Sequence, residues 1–247
     1  MDVFLKDTER IDDLEYKGLK IIQDKTGFCF GIDSVLLSDF AKKMPAHAKV
    51  LDLGTGTGIL GLLLCKKTNL DKIFGIEIQK DVSEMAKRSI ALNSLEDKFE
   101  IINCNIKDLN NYFKLESFDC IVSNPPYMKI DSGFKNTNEY KLISRHEISA
   151  SLEDFINISF KMLKDNGSLY LVHRTERLVD LIYLLRKYKL EPKQLRFVYS
   201  NENSEPKLVL IKAIKNAKSF LKIDKPLIIY DSNKNYTNEI LKIYNKI

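Results

Sequence analysis

The chain has 247 residues, of which 44% are hydrophobic and 30% charged, and its formal net charge is +5. This balance is typical of a globular protein and excludes a collagen-like, a coiled-coil or a wholly disordered chain. The length corresponds to between one and two domains of about 150 residues each.

The sequence contains neither a predicted membrane span or signal peptide nor a C-x-x-C pair, which bears on the cellular compartment and on metal binding. No apolar run approaches the roughly 20 residues that span a bilayer, and the N-terminus lacks the apolar core of a signal peptide. We therefore expect a cytoplasmic protein that does not meet a membrane. The four cysteines lie far apart and form no C-x-x-C pair, so we expect small buried side chains and no metal site.

The charge is distributed unevenly along the chain. Residues 174–247 carry 16 Lys and Arg against 8 Asp and Glu, a net charge of +8, whereas residues 1–173 have a net charge of −3. A basic excess confined to one part of a chain suggests a nucleic-acid partner. A lysine-rich surface that only keeps the protein soluble is the alternative.

The first 47 residues predict two short elements. Leu19–Gln23 alternates between apolar and polar residues, as in a strand, and Asp33 can N-cap an apolar helix over Ser34–Lys43.

From residue 48 to residue 213, short apolar runs alternate with helical patterns. This alternation predicts βαβ units and a doubly wound, mostly parallel sheet of an α/β protein. The predicted strands are Lys49–Leu53, Lys72–Ile78, Phe99–Cys104, Phe118–Ser123, Ser168–His173, Gln194–Ser200 and Lys207–Ala213. The predicted helices are Gly58–Lys67, Asp81–Asn93, Leu152–Leu163 and Thr175–Tyr188.

The end of the chain predicts a hairpin and an extension. Only the polar segment Asn201–Pro206 separates the last two strands, so we expect them to pair antiparallel at the edge of a seven-stranded sheet. Beyond them, Pro226–Tyr230 is a short β-like run, and Tyr236–Ile247 predicts a helix capped by Thr237. We expect one domain, with a core at 48–213 and extensions at 1–47 and 214–247.

A glycine-rich turn follows the first core strand. Gly54, Gly56 and Gly58 recur at alternate positions, a spacing that differs from both the dinucleotide fingerprint and the P-loop. Asp52 precedes this turn, and it would repel a phosphate and attract an amine. Glu77 ends the second core strand, where an acidic residue can accept hydrogen bonds from both ribose hydroxyls of an adenosyl ligand. S-adenosylmethionine combines adenosine with a cationic amino-acid part.

This pattern resembles the class I methyltransferase family, which has a Rossmann-like sheet with a terminal antiparallel hairpin. The resemblance implies that the three glycines contact the methionyl group, Asp52 its ammonium and Glu77 the ribose. It also implies that Asn105, followed by Ile106, receives the cofactor's adenine amine in place of the family's usual aspartate, with Asp108 as the neighbouring alternative.

A second motif, Asn-Pro-Pro-Tyr, follows the fourth core strand. The side-chain oxygen of Asn124 and the carbonyl of Pro125 can accept the two hydrogens of an exocyclic amine, and Tyr127 offers a ring for stacking. Catalysis would then consist mainly of positioning for in-line methyl transfer, without a strong general base. The structural alternative is a rigid turn. The motif resembles that of enzymes that methylate adenine N6, cytosine N4, guanine N2 or glutamine N5, and it does not choose among them.

The segment from Gly27 to Phe40 resembles one subgroup, the small bacterial enzymes that methylate N6 of the adenine beside the anticodon of a valine tRNA. The resemblance implies that Phe30, Gly31 and Asp33 cover the cofactor; the alternative is a capped helix packed on the sheet. Arg145–Glu147 would contact the anticodon loop or form a lid, or would be a surface salt-bridge cluster. The lysine-bearing loop at 128–144 would help to clamp the RNA. The expected partner is thus a tRNA anticodon loop, bound by a monomer.

Other functions remain open at this point. A methyltransferase that modifies a release-factor glutamine usually has a longer N-terminal helical domain, whereas 51 residues precede Asp52 here. Methylation of DNA adenine or ribosomal RNA guanine is a further alternative. A cofactor-binding module without catalysis is also possible, although the intact Asn124 and Tyr127 argue against it.

Overall fold

The computed structural model describes residues 4–25, 31–127 and 150–247. The strands are β1 (Glu9–Asp13), β2 (Lys20–Asp24), β3 (Lys49–Leu53), β4 (Lys72–Glu77), β5 (Phe99–Asn103), β6 (Phe118–Ser123), β7 (Leu163–Arg174), β8 (Leu190–Tyr199), β9 (Pro206–Lys215), β10 (Lys222–Ile223) and β11 (Leu227–Ile228). The helices are α1 (Ile32–Ala41), α2 (Ile59–Lys67), α3 (Lys80–Leu92), α4 (Leu152–Met162), α5 (Leu178–Lys187) and α6 (Asn238–Ile243). Two short 3₁₀ segments lie at Ile106–Asn111 and Thr175–Arg177. None of the helices in these ranges is long and apolar enough to cross a bilayer.

The main sheet has the predicted topology. Its core order is β5-β4-β3-β6-β7-β9-β8, in which β3 to β7 pair in parallel and β9 pairs antiparallel with both β7 and β8. The prediction of a mostly parallel sheet with a terminal hairpin is therefore confirmed. The two-residue strands β10 and β11 extend the edge by pairing with β8. β11 lies within the predicted β-like run Pro226–Tyr230, whereas β10 was not predicted because two residues are too short to show a period.

Apolar side chains bury both faces of this sheet. Along β3, Val50 belongs to a core cluster that α1, α2 and α3 cover, whereas Leu51 and Leu53 belong to a second cluster under α4 and α5. This arrangement explains why the parallel strands are apolar at almost every position. Because the parallel strands all run the same way, their carboxyl ends lie at one edge, where the functional motifs follow them.

The N-terminal residues form a two-stranded antiparallel sheet, of which the sequence indicated only β2. Its partner β1 was not predicted because Glu-Arg-Ile-Asp-Asp has little apolar or β-branched character. The pair rests on α3, where Ser89 Oγ accepts a hydrogen bond from the Ile22 amide and Asn93 bonds both backbone groups of Lys20.

The predicted start of α1 was wrong by two residues. Gly31 occupies the N-cap position, and Asp33 lies inside the first turn without making a capping bond. The carboxylate of Asp33 instead accepts a hydrogen bond from a residue far along the chain, as described below. Thr237 does cap the last helix, as predicted, through its hydroxyl and the Ile240 amide.

Candidate active site

The glycine turn begins where β3 ends. Gly54, Gly56 and Gly58 all have positive φ angles, of 72°, 57° and 87°, which disfavour any residue with a Cβ. The amides of Gly54 and Thr55 donate to the carbonyl of Ile76, so the turn is bound to the neighbouring strand β4. A Cβ added to Gly56 would meet no atom within 4 Å, so the backbone there borders open space. The turn therefore offers a cradle that a ligand can approach closely.

Two buried carboxylates stand beside this cradle. Asp52 accepts a hydrogen bond from the Thr55 hydroxyl at 2.6 Å, while Glu77 accepts from the amides of Gln79 and Gly56 at 2.8 and 3.1 Å. Within the described ranges, no basic side chain forms an ion pair with either carboxylate. Burial, with the charge of Glu77 nearby, raises the pKa of Asp52 to about 7 despite the hydrogen bond from Thr55.

This carboxylate pair fits a cationic ligand. A bound ammonium or sulfonium group would offset the cost of two buried anions, whereas a phosphate would add a third negative charge. The carboxylates and the open backbone at Gly56 thus fit S-adenosylmethionine, which carries both cations together with ribose hydroxyls.

The segment after β5 lies at the same edge of the sheet, next to the end of β4. Asn105 N-caps the short 3₁₀ segment through a bond from the Lys107 amide at 3.0 Å, which leaves its amide oxygen one further lone pair. Ile106 is buried, whereas Asp108 is exposed. Asn103 was not anticipated as part of the site. Its side-chain amide donates to the carbonyls of Glu77 and Ile78 and so fixes the backbone that carries the acidic residue.

The Asn-Pro-Pro-Tyr turn lies beside the glycine turn. Leu53 pairs with Ser123, so the glycine turn and Asn124 begin at adjacent positions on neighbouring strands. Those strands are about 4.8 Å apart, which brings the cofactor cradle and the Asn124 amide to one edge. The Asn124 side-chain nitrogen donates to the hydroxyl of Ser34 at 3.2 Å. Ser34 lies in the first turn of α1, and it thereby fixes the orientation of the amide.

Tyr127 is held against the same helix turn. Its hydroxyl lies 2.6 Å from the Asp33 carboxylate and 2.6 Å from the side-chain oxygen of Asn124. Burial, together with the negative charge of Asp33, raises the pKa of Tyr127 well above its ordinary value. The phenol therefore stays protonated, and its single proton can be donated to only one of the two oxygens at a time.

Two residues at the end of β7 complete the surroundings of Tyr127. The ring of His173 packs edge-on against the Tyr127 ring at a centroid distance of 5.3 Å, and the Arg174 guanidinium lies 5.1 Å from the same ring. The Arg174 amide can only donate, so Nδ1 of His173 accepts and the neutral imidazole carries its proton on Nε2. Burial and the positive charge of Arg177 lower the pKa of His173 to about 4.

The predicted site residues fall into three groups. The first group lies at the carboxyl ends of β3, β4 and β6, where Gly31 and Asp33 at the start of α1 join it. The predicted residues in this group are Asp52, Gly54, Gly56, Gly58, Glu77, Asn124, Pro125 and Tyr127. Asn105 and Ile106 follow β5 at the same edge. Phe30, the loop at 128–144 and Arg145–Glu147 lie outside the described residues.

Three further residues at this edge were not predicted: Ser34, His173 and Arg174. The pair at the end of β7 could have been found, because a polar pair ends a predicted parallel strand and the carboxyl ends of such strands meet. Ser34 gave no such signal, since its contact with Asn124 spans 90 positions.

The described cysteines and acidic residues offer no metal centre. Cys65 and Cys120 are buried, as predicted, whereas Cys104 is only half-buried, and Cys29 lies outside the described residues. In the described ranges, no group of three or more His, Cys, Asp or Glu side chains is arranged to hold a metal ion.

Comparisons with known proteins agree with this geometry. The family model described as methyltransferase small domain matches residues 31–188, which include the glycine turn, both carboxylates and Tyr127. A tRNA1(Val) (adenine(37)-N6)-methyltransferase of Flavobacterium johnsoniae is 27% identical over 229 residues, or 93% of this chain and 96% of its own length. The protein of the same name from Porphyromonas gingivalis is 32% identical and covers 81% of this chain and 79% of its own length.

Solved structures share the fold at lower identity. A predicted O-methyltransferase from Agrobacterium tumefaciens superposes with a TM-score of 0.71 at 18% identity, covering 86% of this chain and 95% of that one. A tRNA m1G37 methyltransferase of M. jannaschii gives a TM-score of 0.61 at 18% identity, covering 85% and 58%. These likenesses confirm the class I methyltransferase fold.

Proposed function

The chain belongs to the methyltransferase small-domain family, and from this we propose that it transfers a methyl group from S-adenosylmethionine to N6 of adenine 37 in a valine tRNA. The observation that carries the proposal is the pairing of Leu53 with Ser123, which places the cationic-ligand pocket and the Asn-Pro-Pro-Tyr turn side by side. The names of relatives that align with most of the chain support the choice of substrate.

The residues of the pocket bind the cofactor by charge and shape. Asp52 would hold the ammonium, Glu77 would accept from the ribose hydroxyls, and the glycines would let the backbone approach. Asn105, in its place after β5, would accept from the adenine amine. S-adenosylmethionine supplies an electrophilic methyl group, and its sulfonium charge makes the thioether a good leaving group.

The residues of the turn orient the acceptor nitrogen. Asn124 and the Pro125 carbonyl accept the two N6 hydrogens, which directs the nitrogen lone pair toward the methyl group. Tyr127 presents its ring to the adenine, which unstacks readily from a single-stranded anticodon loop. His173 stays neutral at physiological pH because its pKa is about 4, so it adds no charge beside the base.

The direct test is incubation of the protein with bulk tRNA and methyl-labelled S-adenosylmethionine, followed by nucleoside analysis. We expect labelled N6-methyladenosine, and a valine tRNA transcript in which adenine 37 is replaced by guanine should accept no label. Label in a release-factor glutamine, in DNA or in guanosine would identify one of the alternative substrates and contradict the proposal.

The Asn124→Ala variant separates catalysis from cofactor binding. Because it removes one of the two N6 acceptors, we expect transfer to fall by about 100-fold or more. The upward shift in Tm that S-adenosylmethionine causes should stay as large as in the unmodified protein. The Glu77→Ala variant is the matched control, since it should raise the KM for the cofactor and change the KM for tRNA little. An Asn124→Ala variant of undiminished activity would exclude the proposed role of this side chain.

A further inference from the structure

Arg174 differs from the other cations of the basic C-terminal third in its position. It is the last residue of β7, at the same edge as Asn124, and its exposed guanidinium lies over the Tyr127 ring. The charge that the sequence concentrates in residues 174–247 is otherwise spread over the molecule. Arg186 and Lys187, for example, lie at the far end of α5, about 12 Å along that helix from its start.

Arg174 belongs to the cations of this part of the chain for which the described residues provide no ion pair. Ion pairs with carboxylates hold at least seven of the 16 cations in this part of the chain: Arg177, Arg186, Lys187, Arg196, Lys215, Lys222 and Lys246. Within the ranges that the structure describes, no carboxylate forms such a pair with Arg174. As far as the described residues show, its guanidinium has N–H donors that are not used in an ion pair and that a ligand can bind.

Both the backbone and the guanidinium of Arg174 contact the surroundings of Tyr127. The Arg174 amide is bound to His173 Nδ1 at 2.9 Å, and the ring of His173 packs on Tyr127 in turn. Contact with the Tyr127 face limits the freedom of the long side chain before any ligand arrives. A cation held in this way loses less conformational entropy when it binds an anion.

We propose that Arg174 binds a phosphate of the nucleotide whose base enters the site. The inference rests on the proposed function, because a polynucleotide substrate must carry phosphates on both sides of the adenine that reaches Asn124. A planar guanidinium matches the oxygens of a phosphate and can bind two of them at once. Arg174 thus links the backbone of the RNA to the ring on which the base stacks.

The test compares Arg174→Ala with Arg186→Ala, a matched control that removes an arginine remote from the site and paired with Glu191. Binding of fluorescein-labelled valine tRNA is measured by anisotropy between about 50 and 200 mM salt. For Arg174→Ala, we expect binding about tenfold weaker and a slope of log Kd against log salt reduced by about 0.7 to 0.9, the value of one phosphate contact. Arg186→Ala should retain the original slope.

Two further measurements separate this role from a structural one. The Tm shift caused by S-adenosylmethionine should be equal in both variants, and Arg174→Lys should recover the slope because it restores the charge. A lower kcat with an unchanged slope would mean that Arg174 acts only through Tyr127, and it would overturn the inference. Failure of the proposed function looks different, since then the unmodified protein itself would neither bind nor methylate the tRNA.

Discussion

At the level of single residues, Asp33 and Asn124 compete as acceptors for the hydroxyl proton of Tyr127. The Tyr127 hydroxyl can donate to either side chain, and a carboxylate is the stronger acceptor. When a substrate amine takes the Asn124 oxygen, the Tyr127 proton still has a partner in Asp33. In the proposed mechanism the carboxylate therefore removes a competitor for the Asn124 side-chain oxygen.

This role predicts an unusual pair of variants. In Asp33→Ala the Tyr127 hydroxyl retains only Asn124 as acceptor, so we expect kcat for tRNA methylation to fall about tenfold with little change in cofactor affinity. Removing the hydroxyl as well, in Asp33→Ala combined with Tyr127→Phe, should recover part of that loss because the competing donor is gone. Steady-state kinetics provide the test. A double variant slower than Asp33→Ala alone would show that the hydroxyl does not compete for Asn124.

The buried carboxylate of Asp52 should lower the stability of the cofactor-free protein at high pH and favour binding of a cationic cofactor. Its pKa of about 7 lies above the ordinary value of 3.8, so the folded protein binds a proton more tightly than the unfolded chain. The stability that this group contributes is present below about pH 4 and is lost as the pH rises through about 7. A cationic ligand reverses the preference, since it favours the ionised carboxylate.

We therefore expect Asp52→Asn to raise the Tm of the cofactor-free protein at pH 8, by more than at pH 5. The same variant should bind S-adenosylmethionine at least about tenfold more weakly at pH 8. Thermal unfolding at both pH values, with and without the cofactor, measures both effects. Equal Tm differences at the two pH values would argue that Asp52 is not protonated in the folded protein.

At the level of elements, one buried ion pair joins β1 to α3, beside the hydrogen bonds that attach β2 to the same helix. Glu9 is almost fully buried, and both of its carboxylate oxygens lie 2.6 Å from Arg88 nitrogens. The pair lowers the pKa of Glu9 through the hydrogen bonds from Arg88. An isolated charge at this position would be costly.

The Arg88→Ala variant should therefore lose about 2–3 kcal/mol in free energy of unfolding. Adding Glu9→Gln should restore part of this loss because it neutralises the orphaned carboxylate. Lys6→Ala is a control on the same interface, since the Lys6–Asp81 pair is largely exposed and should contribute less than about 0.5 kcal/mol. Urea unfolding measures all three. A double variant less stable than Arg88→Ala would contradict the electrostatic explanation.

Elements that leave a local pattern in the sequence could be predicted. Features that depend on contacts between residues far apart in the chain could not. Most of the parallel strands were predicted closely because burial on both faces leaves an apolar run in the sequence, as in Phe118–Ser123. The exception is β7, which begins at Leu163 instead of Ser168 because its first residues, Leu-Lys-Asp-Asn-Gly, contain no apolar run. The β1 strand has no such run, because its anchor is a charge on α3. Asp33 was predicted as a cap because local spacing allows it, but its carboxylate partner is Tyr127, 94 residues away. The position of Asn124 at the sheet edge could be predicted from the strand order. Its hydrogen bond to Ser34, 90 positions away, could not.

At the level of the whole molecule, the acidic site contrasts with the net positive charge of the chain. The proposed cofactor pocket contains the carboxylates Asp52 and Glu77, for which the described residues provide no ion pair, while the net charge of the chain is +5. A long-range positive potential steers a polyanion toward the protein without a dedicated basic patch, and salt weakens that attraction. The local contacts then decide where the RNA binds. This explains how a chain in which at least seven of the 16 C-terminal cations are paired with carboxylates can still favour an RNA partner.

The two extensions share one core with the central sheet, which predicts how the molecule unfolds. Leu14 and Leu19 from the N-terminal part and Leu227 and Ile240 from the C-terminal part belong to the same apolar cluster as Val50. Lys67 Nζ also donates to the carbonyl of Ile243. If either extension detached, it would expose these side chains and the sheet face beneath them, at a cost of roughly 25 cal/mol for each Å² of apolar surface.

We therefore expect one domain and a single cooperative urea transition, with coincident midpoints by circular dichroism and by tyrosine fluorescence. Tyrosine is a suitable probe because the chain has 11 tyrosines and no tryptophan. Three of them, Tyr230, Tyr236 and Tyr244, stack in the C-terminal extension and report on its packing. Native-state hydrogen exchange gives a sharper measurement, since the Tyr244 amide bound to Ile240 should exchange with a free energy close to that of β6 amides. Earlier loss of the tyrosine signal, or much faster exchange at Tyr244, would show that the extension unfolds as a separate unit.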